Sequence, residues 1–173
     1  MSQPANFSTV ELLRDGRRIE IRGIRPSDRA ALLAAVDRTS SRSRYRRFFG
    51  IKRDFSEKEI AYFLNVDFID HIALVAVTRE GGGDVIVGGG RYVVVGPGTA
   101  ELAFTVVDEY QGQGLGGALM RHLVALARNA NLERLVAEVL PDNVAMLKVF
   151  ENSGLVLGTE REGGVVRVSL QLS

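Results

Sequence analysis

Apolar positions along this chain repeat with two periods, and the switches between them mark out alternating strands and helices. Val10 to Leu13 and the set Ile19, Ile21, Ile24 flank an Asp15-Gly16 step, which predicts a β-hairpin on a tight turn. Pro26-Ser27-Asp28 is a helix start, and Leu32, Leu33 and Val36 supply the apolar face of the helix behind it. Ser56-Glu57-Lys58-Glu59 has the form of a capping box: a hydroxyl for the third amide and a carboxylate reaching back to the first. A short helix carrying Ile60, Phe63 and Leu64 is expected after it. Ile72 to Thr78 is an apolar run of strand length, and Gly81-Gly82-Gly83-Asp84 turns it into a long strand, Val85 to Val95. Gly88-Gly89-Gly90 interrupts that strand, and glycines there signal a bulge or a close backbone approach. The pattern does not name the neighbour.

Gly96-Pro97-Gly98 turns the chain into a strand that begins near Glu101 and runs through Leu102 to Val107. A polar link, Asp108-Glu109-Tyr110, leads to Gln111-Gly112-Gln113-Gly114-Leu115-Gly116-Gly117, and Leu115, Leu119, Leu123 and Leu126 then recur at helical spacing. The order is strand, glycine loop, helix. Leu135 to Val139 reads as a strand parallel to the Glu101 strand, reached by a crossover. After irregular Leu140-Pro141-Asp142, a helix from Asn143 to Asn152 ends at Gly154. Val156 to Arg161 and Val165 to Leu172 close the chain as a hairpin on Gly163-Gly164.

A helix start leaves amides without intrahelical partners and carries the positive end of the helix dipole. Glycines let phosphate oxygens approach those amides because no Cβ stands in the way. A pyrophosphate-bearing ligand is therefore expected on the loop, against the plainer reading of a turn with packing value only. Gly112, Gly114 and Gly117 also satisfy G-x-G-x-x-G, with Glu133 at the acidic position about 20 residues on. That dinucleotide fingerprint should follow its strand at once and open the first βαβ unit. Here four residues, Asp108 to Gln111, intervene, and the loop sits late in the chain.

Gln111-x-x-Gly114-x-Gly116 after an apolar strand resembles the acetyl-CoA loop of the GNAT N-acetyltransferase superfamily. Asn143-Val-Ala-Met-Leu-Lys-Val-Phe150-Glu-Asn-Ser-Gly154-Leu155 resembles that family's second helix motif. The resemblance runs from about Ile19 to Leu172, and Ser43-Arg-Tyr-Arg-Arg-Phe-Phe49 is similar to the acetyltransferase domain of bacterial protein-lysine acetyltransferases. It implies an α/β fold, a mixed and mostly antiparallel splayed sheet flanked by helices, as one domain over residues 1–173. It implies acetyl-CoA as co-substrate and no metal. Backbone groups of Val106 and Val107 would pair with the pantetheine amides. Amides of Gln111, Gly112, Gln113, Gly114, Leu115, Gly116 and Gly117 would hold the pyrophosphate, and Asn143 would either cap its helix or touch the cofactor arm.

Composition narrows the picture further. With 173 residues, 46% of them hydrophobic, the chain suffices for one domain with a substantial core. A formal charge of +1 gives no argument for nucleic acid, and no apolar run reaches the roughly 18 residues of a membrane span. Cysteine is absent, so thiolate chemistry and disulfides are excluded, and a cytoplasmic setting is expected. His71 and His122 lack ligand spacing. Met1 to Ser8 is polar and expected to fray. Arg38 to Arg53 concentrates cations around Tyr45, Phe48 and Phe49: a solvated face, or a basic patch toward the nucleotide end or an acidic partner.

Acetyl transfer to a lysine is opposed mainly by the amine's proton: with pKa ~10.4, only ~0.1% is nucleophilic near pH 7.4, a deficit of about 4 kcal/mol. A general base helps. Ala100-Glu101-Leu102-Ala103-Phe104 resembles the strand of protein-lysine acetyltransferases whose Glu is that base, which makes Glu101 the candidate. Where many relatives carry a thiolate-protonating tyrosine, this chain has Phe150. The expected acceptor is a protein lysine, an acyl-CoA synthetase among the possibilities. A small amine is the second reading, a non-catalytic acetyl-CoA sensor the third, and a homodimer is left open.

Overall fold

The computed structural model describes residues 4–38 and 56–172, so of the Arg-rich segment only Arg38 lies within the described residues. In chain order the elements are β1 (Ser8–Leu12), β2 (Arg18–Gly23), α1 (Arg29–Asp37), α2 (Glu57–Leu64), β3 (His71–Glu80), β4 (Gly83–Gly96), β5 (Thr99–Val106), α3 (Leu115–Asn129), β6 (Arg134–Val139), α4 (Val144–Glu151), β7 (Val156–Glu162) and β8 (Val165–Gln171). The strands form one open eight-stranded sheet in the order β1-β2-β3-β4-β5-β6-β8-β7. Every pairing is antiparallel except β5 with β6.

Local rules account for most element boundaries. The box ahead of α2 is closed in both directions, Glu59 N to Ser56 Oγ and Ser56 N to Glu59 Oε1, each at 3.1 Å. Pro26–Asp28 is a 3-10 turn, with α1 starting at Arg29. Asp28 is buried and takes both guanidinium nitrogens of Arg22 at 2.8 and 2.9 Å, plus the Arg25 amide at 2.8 Å. Burial pushes the Asp28 carboxyl up, but Arg22 and the Arg25 amide outweigh it and hold it below the usual carboxylate range.

Residues 4–8 have defined structure where their composition predicts fraying. Pro4–Asn6 is a 3-10 turn and Ser8 pairs with Arg22, because Phe7 packs against the core and the Ser8 hydroxyl donates to Glu20 at 2.7 Å. Apolar contact and a hydrogen bond oppose the entropy that composition alone would favour.

The helical face predicted for α3 is the buried one: Leu115, Leu119 and Leu123 are fully enclosed and Leu126 nearly so. Enclosing each such side chain favours the fold by about 1.5–3 kcal/mol. Of β5, Phe104 points to the α3 side, where it meets the Phe150 ring at 6.2 Å, whereas Ala103, Thr105 and Val107 line the opposite side with Leu32, Leu33 and Phe63 of α1 and α2.

Both expectations for the glycine run are met. Val87 is the extra residue of a bulge, since Gly88 pairs with Ala76 and Ile86 with Val77. A Cβ on Gly88 would stand 3.0 Å from Leu115 Cδ2, and one on Gly90 2.9 Å from Leu123 Cδ1. The unnamed neighbour is α3.

The parallel step is short. β5 and β6 share three rungs, Thr99 with Arg134, Ala100 with Leu135 and Glu101 with Val136, and then separate. From Ala137 to Val139, β6 keeps only its β8 partner, and Leu102 to Val106 keep only β4. Both strands are left with one open edge, which is the predicted splay.

Candidate active site

Where β5 and β6 part, a cleft of about 950 Å³ opens, bounded by Leu102–Val106, residues 137–139, the 111–117 loop and the α4 side chains Met146, Val149 and Phe150. Backbone bonding shapes its rim. Val107 donates its N–H to Val87 O and accepts from Tyr110 N, both at 3.0 Å, and Gln111 N donates to Asp108 O at 3.2 Å. The Val107 N–H is therefore engaged within the sheet, and its carbonyl, already accepting once, keeps a single lone pair for a ligand. Backbone direction alternates along a strand, so Val106 presents its groups to the opening. Its carbonyl takes the Gln111 side-chain amide at 3.0 Å.

The glycine loop needs its glycines for distinct reasons. Gly112 and Gly114 have φ of +77° and +91°, the left-handed region that a side chain disfavours. Gly116 lies under α4, where a Cβ would come within 3.3 Å of Val149 Cγ2, so its smallness serves helix packing. In front of Gly112 and Gly117 a Cβ would meet nothing within 4 Å. Ladder bonding of α3 begins with Ala118 N to Gly114 O at 3.1 Å, and the amides of residues 112–117 have no partner among the described residues. These residues line the cleft at the positive end of a 15-residue helix. This is the cradle that a diphosphate requires. Leu115 contributes only its amide, its side chain being core.

Asn143 is the N-cap of α4, its side chain accepting from Met146 N at 3.3 Å, and it also borders the cleft. Phe150 is buried in the cleft wall and has no proton to offer.

Glu101 is exposed at the last rung before the strands part, and by strand alternation it shares the α1/α2 face with Ala103 and Thr105. On that face Arg91, paired with Ala103, extends over the Phe63 ring at 5.0 Å and donates to His71 Nε2 at 2.8 Å. Arginine has no acceptor atom, so His71 Nε2 is the unprotonated nitrogen. Burial first, and then the Arg91 cation, push His71 down to about 4. His122, far away on α3, contacts Glu11 instead at 2.7 Å. Among the described residues no cluster of three or more potential metal ligands forms, and no helix is long and apolar enough to cross a membrane.

The link before the loop is anchored at Tyr110, which donates its hydroxyl to Glu80 at 2.8 Å beneath the Arg17 guanidinium, 3.9 Å from the ring centre. Arg38 bridges Glu80 and Glu109 at 3.1 and 3.2 Å, tying the end of α1 to this link. Sequence reasoning missed this network, the Arg91–His71 pair and the docking of Arg14 on the loop. No local pattern announces a contact between residues so far apart.

Residues 35–155 match the model of the acetyltransferase (GNAT) family. The chain belongs to that family. Acetyltransferase Pat of Mycolicibacterium smegmatis is 35% identical over 156 residues, 89% of this chain and 46% of that protein. This GNAT chain thus spans about half the length of that relative. Acetyltransferase PA5475 of Pseudomonas aeruginosa is 35% identical over 138 residues, covering 79% of this chain and 74% of that one. The crystal structure of the GNAT domain of S. lividans PAT superposes with a TM-score of 0.85 at 35% identity, covering 95% of this chain and 96% of that one. A GNAT acetyltransferase accounts for the open sheet, and the mostly antiparallel order leaves no place for a doubly wound dinucleotide fold.

Proposed function

We propose that this GNAT acetyltransferase transfers the acetyl group of acetyl-CoA to a primary amine in the cytoplasm, with a protein lysine side chain as acceptor. The observation that carries the reading is the coincidence, at one point of the sheet, of three features: two strand edges released from each other, a row of partnerless amides, and Glu101 at the last shared rung. Amides of residues 112–117 would hold the diphosphate, and the Val106 backbone would pair with the pantetheine arm, Gln111 giving way at its carbonyl. The N–H groups of Val107 and Gln111 are already bonded within the chain, so neither is assigned to the cofactor, and Asn143 acts through the position of α4.

Acetyl-CoA supplies a thioester carbonyl already activated toward amines. This chain's residues handle the proton. Glu101, on the face away from α3, takes the ammonium proton directly or through one water, and the freed nitrogen lone pair attacks the carbonyl. The C–S bond then breaks and the coenzyme leaves as a thiolate, because Phe150 cannot protonate it and a thiol's modest pKa permits this, while the second nitrogen proton passes to solvent as the amide forms. The resemblance of the Ala100–Phe104 strand to that of protein-lysine acetyltransferases supports a protein acceptor, and an acyl-CoA synthetase is the first candidate to test.

Incubation with labelled acetyl-CoA and a cell extract, followed by mass spectrometry, tests the proposal. Label on lysine side chains supports it, and label only on small amines moves the acceptor to the second reading. The lack of a proton donor at Phe150 is also compatible with a sensor that binds without turnover. Calorimetric binding with no thiol release across proteins and amines would establish that reading instead.

A further inference from the structure

The turn between β1 and β2 reaches across the molecule to the glycine loop. Arg14 N donates to Gln113 O at 3.1 Å, and Asp15 N donates to Gln113 Oε1 at 3.1 Å. Gln113 is thus gripped through both main chain and side chain by two consecutive residues of a distant turn. These contacts hold the turn in one place. The Arg14 side chain then lies over the loop, Nη1 donating to Gly112 O at 3.3 Å and Nε 3.8 Å from where a Gly114 Cβ would stand.

The neighbouring arginines are otherwise engaged. Arg17 holds Asp15 at 2.6 Å and covers Tyr110, Arg121 holds Glu11 at 3.2 Å, and Arg128 donates to Leu172 O at 3.2 Å. Arg14 has no carboxylate partner among the described residues, and its side chain borders the cleft. A guanidinium carries five N–H donors, and one long bond to a carbonyl uses a single one. Its position beside a row of partnerless amides matches the fork geometry that recognises phosphate oxygens.

We propose that Arg14 is a cofactor-binding residue whose guanidinium closes over the diphosphate of acetyl-CoA from the side opposite the loop amides. This rests on the assignment of the loop as the diphosphate site. The β1–β2 hairpin thereby forms a second wall of that site. It makes affinity depend on the phosphates and disfavours thioesters that lack them.

The test compares wild type, Arg14→Ala and Arg14→Lys by calorimetry with acetyl-CoA and 3′-dephospho-acetyl-CoA, and by inhibition with S-acetylpantetheine, which has no diphosphate. Arg14→Ala should weaken both nucleotide thioesters equally, by about 10- to 100-fold, the worth of a charge-assisted hydrogen bond. S-acetylpantetheine should be unaffected, and Arg14→Lys, a point charge without the fork, should fall between. Unchanged acetyl-CoA affinity in Arg14→Ala would overturn the proposal. So would a loss confined to the 3′-phosphorylated ligand, or an equal loss for S-acetylpantetheine, which would mark a structural role. If Arg14→Ala fails to fold, Arg14→Lys against wild type decides by the same three ligands. A wild-type protein that binds no acetyl-CoA at all would instead remove the donor assignment itself.

Discussion

Gly90 of β4 lies directly opposite Phe104 of β5, and a Cβ on Gly90 would stand 2.7 Å from Phe104 Cδ1. The missing side chain is what lets the Phe104 ring lie flat under α3, where it meets Phe150 and forms part of the cleft wall. Gly90→Ala should therefore destabilise the fold by about 1–3 kcal/mol through overpacking. Denaturant midpoints of the two proteins measure this, and an unchanged midpoint would mean that the ring has room to turn.

Glu101→Gln keeps the shape and removes the base. Stability and acetyl-CoA affinity should be retained, since the side chain is exposed and lies on the face away from α3. Turnover at neutral pH should fall by about 10²-fold or more. Steady-state thiol release measures it, and full activity would take Glu101 out of the mechanism.

At Gly114 the backbone sits at φ +91° as the N-cap of α3. Gly114→Ala should cost about 1–2 kcal/mol of backbone strain and, by shifting the amides of the first turn, weaken acetyl-CoA binding. Gly163→Ala, at φ +60° in the β7–β8 turn, is the control. It carries comparable strain far from the cleft, so it should lower stability without changing Kd.

The Arg22–Asp28 pair is nearly enclosed, at 9% and 8% side-chain exposure. Arg22→Met should lower stability by about 3–5 kcal/mol, because it strands a buried carboxylate. The intact pair also sets an acid limit: a carboxyl held below its unfolded value lends stability above that value, and loses it as pH falls through the folded one. Chemical denaturation between pH 5 and pH 2, tolerated by Arg22→Met with a shallower slope, reports both effects.

His71, pushed down to about 4, stays neutral in the fold while an unfolded chain takes up a proton near pH 6.5. Stability should decline as pH drops from about 6.5 to about 4. His71→Gln keeps an acceptor for Arg91 without titrating, and its unfolding midpoint should be flatter across that window. Identical pH profiles would show that His71 does not contribute.

Features encoded within a few residues are legible in the sequence itself. The Ser56–Glu59 box, the Asp15-Gly16 and Gly163-Gly164 turns and the buried stripe of α3 each follow from capping, sterics or periodicity. The glycine run announced its bulge and close approach but not the partner, because which helix lies over Gly90 depends on how the crossover packs. Val106 and Val107 looked equivalent as neighbours in an apolar run. One hydrogen bond, from Val107 N to Val87 O, separates them, and it continues the alternation of the β4–β5 ladder just past the Gly88–Val106 pair.

What the amino-acid order determined unaided was the kind of element at each place and the strand, glycine loop and helix that a diphosphate ligand needs. Short-range sterics and hydrogen bonding decide those within one or two turns of chain. Only the tertiary structure decided that Arg14 overlies the loop, that Arg91 and His71 share the face of Glu101, and that β5 and β6 part after three rungs. Those outcomes depend on segments meeting across long loops, whose closure follows the balance of burial and entropy over the whole molecule.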